Sequence, residues 1–220
     1  MFITARSHLA SAISKAIQLG FNLPASESLK FISLKRCAKA IFGDLSSSAP
    51  AKLASHLKLP SDAVAREINT RLSLDDSYIS AQEYRNGFIN FIVSTEYTAK
   101  VLQKLIEAFM HSPSESPHPK LSNCASLLNS SIVSKYNLKL LADTRKAQEQ
   151  DLGILKRIAL CHDDLYSFDP DSFKRSSALQ LYDYYSDYYR TCPIITDDHS
   201  LTLLRLQISG AVMEIQKRVP

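Results

Sequence analysis

Apolar and polar positions in the first 110 residues follow two different periods. Between Thr4 and Leu19, Leu9, Ala12, Ile13, Ala16 and Ile17 recur at helical spacing, and Gly20 offers a stop. Leu29 to Leu34 alternates in the manner of a half-buried strand. Gly43-Asp44 then makes a turn before a helix over Ala49 to Leu57. A second helix starts at Pro60-Ser61-Asp62, with Ser61 as N-cap and Val64 and Ile68 facing inward. Tyr78 to Tyr84 and Phe88 to Val93 read as two strands joined across Arg85-Asn86-Gly87, because Asn-Gly tolerates the positive φ of a tight hairpin. Ser94 caps a helix running through Phe109. The pattern predicts an α+β domain over residues 1–110.

The Pro/Ser-rich stretch Ser112 to Pro119 cannot sustain a helix or a central strand, so residues 111–120 read as a linker. Strand alternation is missing beyond it. Leu127, Leu128, Ile132 and Val133 mark a helix within Leu121 to Leu141. Further helical runs cover Leu152 to Leu160, Phe173 to Thr191 and Leu201 to Arg218, broken at Asp169-Pro170 and Pro193. Residues 121–220 thus predict an all-α bundle of roughly four or five helices.

Composition narrows the function classes. Of 220 residues, 45% are hydrophobic and 22% charged, which suits two modest cores. The longest apolar runs, such as Phe88 to Val93, are too short to span a bilayer. Arg6, Lys15 and a shortage of acids raise a transit peptide at the N-terminus, yet the helical periodicity there favours a first folded helix. No secretory signal is visible. The cysteines at 37, 124, 161 and 192 form no C-x-x-C pair, so neither a zinc site nor a redox motif is expected, and a reducing cytoplasm suits them. Residues 1–110 hold 13 Lys+Arg against 9 Asp+Glu, whereas residues 111–220 hold 13 against 13. Any attraction for a polyanion therefore lies in the first half.

Two blocks carry a resemblance. Phe42-Gly-Asp-Leu-Ser-Ser-Ser-Ala-Pro-Ala-Lys-Leu-Ala-Ser-His-Leu-Lys-Leu-Pro-Ser-Asp-Ala-Val-Ala-Arg-Glu-Ile68 resembles the N-terminal domain of arginyl-tRNA synthetases, where a Gly-Asp turn precedes a helix. Asn86-Gly-Phe-Ile-Asn-Phe-Ile-Val-Ser94 is similar to the Gly-Phe-Ile-Asn-Phe signature of the same domain. A third stretch, Leu181 to Ile195, looks like the helix of the DALR-type anticodon-binding bundle, with Tyr188, Tyr189 and Cys192 on its pattern; Leu203-Leu-Arg-Leu206 resembles that domain's signature element without its Asp-Ala. The family's ATP-binding His-x-Gly-His motif has no counterpart, since the histidines stand alone at 8, 56, 111, 118, 162 and 199, and no Lys-Met-Ser-Lys-Ser loop occurs. The resemblance therefore implies the family's RNA-facing modules without its catalysis, and no ATP or other cofactor.

Carried over residue by residue, the resemblance makes Asn86, Phe88 and Asn90 contacts to the tRNA D-loop: an aromatic ring stacks on an unpaired base and an amide reads its edge. Strand alternation puts Phe88, Asn90 and Ile92 on one face and Ile89, Phe91 and Val93 on the other. Their plain alternative is a hairpin kept for the fold. Lys35, Arg36 and Lys39, with Arg85, form the basic cluster expected to meet phosphates, against the alternative of a solvated face. Tyr188 and Tyr189 are the anticodon-contact candidates, with Tyr182, Tyr185 and Tyr189 on one helical stripe that in part must be core. Asp183 and Asp187 would repel phosphate there. His162-Asp163-Asp164 suggests a metal site, but a loop at a helix end explains it as well, and no catalytic or metal constellation emerges. The leading expectation is a noncatalytic tRNA-binding adaptor, with an arginine acceptor as its preferred tRNA. The competing one is a protein-interaction module that has given up RNA.

Overall fold

The computed structural model describes residues 3–37, 39–111, 147–166 and 171–219. His111, the first residue of the expected linker, ends a helix (Thr95–His111); the rest of the linker, the helix over Leu121 to Leu141 and Cys124 lie outside the described residues. The described chain clusters into two compact units, Met1–Tyr97 and Thr98–Pro220.

The first unit is α+β. Helix α1 (Ala5–Phe21) starts where Thr4 and Ser7 exchange side-chain-to-backbone hydrogen bonds, a capping box that satisfies two first-turn groups. Its predicted inner residues Leu9, Ile13, Ala16 and Ile17 are fully buried. The stop lies later than Gly20: Asn22, at φ 53°, is the left-handed C-cap. Gly20 instead leaves room for a later helix, Ser61–Arg71, since a Cβ there would stand 3.0 Å from the Glu67 side chain.

A larger correction concerns Leu29 to Leu34. Ala25–Phe31 is a short helix, α2, and strand β1 covers only Leu34–Arg36. Pro24 at the N-cap, Glu27 in the first turn and Lys30 in the last suit a helix and its dipole. Ser28, completely buried, shares a 2.6 Å hydrogen bond with Ser14 of α1, so the inward position of this segment is polar rather than apolar.

Beyond β1, a 3-10 turn (Ala40–Phe42) leads to β2 (Leu45–Ser47), α3 (Ala49–Leu57) and α4 (Ser61–Arg71). Helix α4 begins at Ser61 itself, with Pro60 in the N-cap place. Strands β3 (Ile79–Arg85) and β4 (Phe88–Val93) form the expected hairpin, and Asn86 (φ 50°) and Gly87 (φ 79°) are both left-handed, as a two-residue turn of this hand demands. The antiparallel sheet has the order β1-β2-β4-β3. One face, carrying Leu45, Ile89, Phe91 and Val93, is buried, and α3 and α4 pack on β4. Ser94 accepts the Tyr97 N–H at 3.0 Å, capping α5 (Thr95–His111) as expected.

The second unit is helical: the body of α5, then α6 (Glu149–Leu165), α7 (Asp171–Thr191) and α8 (His199–Lys217). A buried ion pair joins the last three. Arg205 of α8 is 2% exposed, and its Nε donates to Asp151 of α6 at 3.0 Å. The guanidinium also reaches the Pro193 carbonyl at 2.7 Å and Gln148 Oε1 at 2.9 Å. Tyr188 of α7 donates to the same Asp151 at 2.6 Å. The charges are therefore fully hydrogen-bonded, which offsets the cost of taking them out of water.

Removing one member leaves the other charge stranded. Asp151→Ala is expected to destabilise the helical unit by about 3–5 kcal/mol, read as a loss of the urea midpoint with the first unit's transition unmoved.

Candidate nucleic-acid interface

The sheet face opposite the core is the candidate site, and strand register builds it. Lys35 pairs with Ser46, Ser46 with Asn90, and Asn90 with Glu83, so these four side chains share one row. In the next row Phe88 pairs with Arg85. Ser48 and Ser33 continue that row, tied by the Ser48 N–H on the Ser33 carbonyl at 3.3 Å. A β-bulge at Ser80 adds one residue to β3, so that Ile79 pairs with Val93 while the register from Ala81 to Arg85 follows from the hairpin turn.

These rows line an open groove of about 650 Å³ with Lys35, Arg36, Lys52, Arg85, Asn86, Phe88 and Asn90 among its walls. Its lining holds four cations and no carboxylate. Lys35 and Lys52 make no ion pair among the described residues, and the Arg85 guanidinium lies over the Phe42 ring, 5.4 Å from its centroid. Arg36 pairs with Leu45 and so points to the opposite side of β1, bordering the groove from the edge of the sheet. Lys39 is exposed but does not line the groove.

Phe88 is 43% exposed, as a stacking ring must be, whereas Asn90 on the same face is only 7% exposed. The Asn90 amide makes no side-chain hydrogen bond among the described residues. The amide opens into the groove, where a ligand or water can meet it.

The loop over the groove is held by a turn that the sequence marks as Gly43-Asp44. Gly43 sits at φ 105°, and a Cβ there would meet the Phe91 carbonyl oxygen at 2.8 Å, so only glycine fits. Asp44 donates its N–H to that oxygen at 2.8 Å and accepts the Val93 N–H on its carboxylate at 2.9 Å. Inside the same loop, burial, helped by the Asp44 charge, pushes the Cys37 thiol up, which keeps it protonated and poorly nucleophilic at neutral pH.

A family model for the arginyl tRNA synthetase N terminal domain matches residues 4–93. This segment is a synthetase-type N-terminal domain. Over 99 residues, the chain is 31% identical to the arginine–tRNA ligase of Tropheryma whipplei strain TW08/27 and equally so to that of strain Twist. The alignment takes in 45% of this chain but 18% and 17% of those relatives, so the chain spans less than a fifth of their length by this match. The synthetase-type domain contains the whole groove and both motif blocks up to Val93.

The tyrosines of the second unit stand differently from their expected roles. Tyr188 is 4% exposed, and burial followed by the Asp151 hydrogen bond pushes its hydroxyl far above the ordinary range. It is a core residue and unavailable to a base. Tyr189 is half-buried, its ring 6.1 Å from that of Tyr185. The buried stripe is Leu181, Tyr185, Tyr188 and Cys192, not Tyr182, Tyr185 and Tyr189. His162, Asp163 and Asp164 lie in the last turn of α6 rather than in a loop, all buried, with Ser177 donating to Asp164 at 2.6 Å. Among the described residues no cluster of His, Cys, Asp and Glu suits a metal ion.

Sequence reasoning missed Ser33, Ser46, Ser48, Phe42 and Lys52. The serines needed the short strands β1 and β2, which the apolar alternation did not mark, and Lys52 needed the placement of α3.

Asp44→Ala would strip the Val93 N–H of its acceptor at the end of β4. A loss of about 1–3 kcal/mol is expected, measurable as a lower urea midpoint of the first unit, with Gly43→Ala losing stability as well.

Proposed function

We propose that this protein is a noncatalytic, synthetase-derived tRNA-binding adaptor, and that its groove holds an unpaired loop of the RNA. The observation that carries this reading is the lining of the groove: four cations, two amides and an exposed phenylalanine from the sheet, the hairpin turn and α3, with the Glu83 carboxylate of the Asn90 row outside it. Cations supply sequence-independent affinity for phosphates, the Phe88 ring stacks on a base, and Asn86 and Asn90 read its edge. The D-loop is the loop implied by the resemblance, and an arginine acceptor is the first tRNA to try. Lys39 adds long-range attraction outside the groove. Without the ATP-binding and Lys-Met-Ser-Lys-Ser motifs, these 220 residues hold tRNA for another enzyme and do not charge it, and a cytoplasmic setting suits that role.

The helical unit is best read as a DALR-type bundle, with Arg205 as the arginine of the signature element and Tyr189 the remaining anticodon candidate. A second reading has its own support here: Asp183 and Asp187 are exposed on α7 and Tyr188 is sealed in the core. A protein-facing surface suits that helix better than a phosphate-facing one.

Binding of the whole chain to total tRNA and to an arginine-tRNA transcript, at two salt concentrations, tests the proposal. Affinity should fall steeply with salt, and Phe88→Ala should cost about 1–3 kcal/mol, the usual worth of one stacked base. Absence of binding at low salt would refute the adaptor and leave the protein-interaction reading.

A further inference from the structure

The α3 end of the groove carries its own chemistry. Ser48 occupies the N-cap of α3, yet its hydroxyl makes no capping hydrogen bond and has no other partner among the described residues. The first-turn donors are distributed unevenly. The Ala49 N–H is taken by the Ser47 hydroxyl at 3.2 Å, Pro50 has none, and the Lys52 N–H returns to the Ser48 carbonyl at 3.1 Å. The Ala51 N–H is left without a partner among the described residues. Lys52, exposed and free of ion pairs, stands one residue further along. The hairpin tip adjoins this turn, because a Cβ on Gly87 would lie 3.7 Å from that of Ala51.

A helix start with open donors attracts anions through its partial positive charge. What distinguishes this one is the rest of the groove: the Asn90 amide, 7% exposed and unpartnered among the described residues, lines the same cavity as Ser48 and Lys52. An amide that faces the cavity from a residue otherwise nine-tenths buried, with no protein partner among the described residues, and an open anion-binding turn together fit a ligand that joins an edge of donors and acceptors to a phosphate.

We infer that the first turn of α3 is a phosphate subsite: the Ser48 hydroxyl, the Ala51 N–H and the Lys52 ammonium hold one phosphodiester of the RNA strand that occupies the groove. The inference rests on the RNA reading above, and adds a contact beyond the hairpin residues Asn86, Phe88 and Asn90 and the cluster of Lys35, Arg36, Lys39 and Arg85. The subsite is selective for position along the strand rather than for sequence, since a phosphate looks the same on every nucleotide.

The test uses the full chain, tRNA and inorganic phosphate. Lys52→Gln, at an exposed position, should lower the slope of log affinity against log salt by about 0.7, and Ser48→Ala should weaken binding several-fold. In amide NMR, orthophosphate should shift Ala51 and Lys52 before other residues. Should Lys52→Gln leave slope and affinity unchanged while Lys35→Gln alters both, the subsite is refuted and RNA binding stands. Should the wild type bind no tRNA yet orthophosphate still move Ala51 and Lys52, the subsite stands for a free phosphate ligand and the RNA reading falls. Silence in both experiments overturns both.

Discussion

The hydrogen bond from the Val93 N–H to the Asp44 carboxylate, at 2.9 Å, is the point on which the first unit turns. Strand β2 ends at Leu45 on that side, and β4 runs two residues past the Leu45–Phe91 pair. The aspartate supplies the acceptor that a longer β2 would have supplied. Gly43 makes this possible, because any side chain at φ 105° would strike the Phe91 carbonyl. With that clasp closed, β2 has one register on β4. A slip of a single residue would move Ser46 to the core and Leu45 to water. From this register follow the row of Lys35, Ser46 and Asn90, the placing of Phe42 beneath Arg85, and the groove.

The two units handle polar groups in opposite ways. In the synthetase-type domain they are sorted by strand alternation to an open face, where Lys35, Ser46 and Ser48 stay available to a ligand. In the helical unit they are drawn inward and used up. Arg205 reaches Asp151, Gln148 and the Pro193 carbonyl, Tyr188 closes on Asp151, and Tyr185 donates to Ser209 at 2.7 Å. Such a network fixes which helix meets which, because an apolar core tolerates sliding that hydrogen-bond geometry does not. Tyr185 and Tyr188 are thereby spent on the fold.

Legibility in the sequence tracked how local each determinant was. The Asn86-Gly87 hairpin, the Ser94 cap and the inner face of α1 depend on neighbours within a few residues, and they stand as predicted. Helix α2 was misread because its buried residue is a serine whose partner, Ser14, lies one helix away; hydrophobic period cannot register such a contact. Gly20 looked like a cap, but its small size serves the packing of α4. Tyr188 resembled a binding residue until Asp151, 37 residues earlier, was placed beside it. Of the groove, Phe88, Asn86 and Asn90 came from one contiguous motif, while Lys52 and Ser48 joined them only through the fold of α3 over the sheet.

Alternation along β1, β2 and β4 also separates two kinds of inheritance. Leu45, Ile89, Phe91 and Val93 keep the fold, and none of them lines the groove. Lys35, Ser46, Phe88 and Lys52 line it, and none of them belongs to the apolar core. A lineage can therefore rewrite the ligand one outward residue at a time while the domain keeps its shape. That is the physical ground for change in this domain: stability and ligand contact are encoded on opposite sides of one sheet and are free to drift apart.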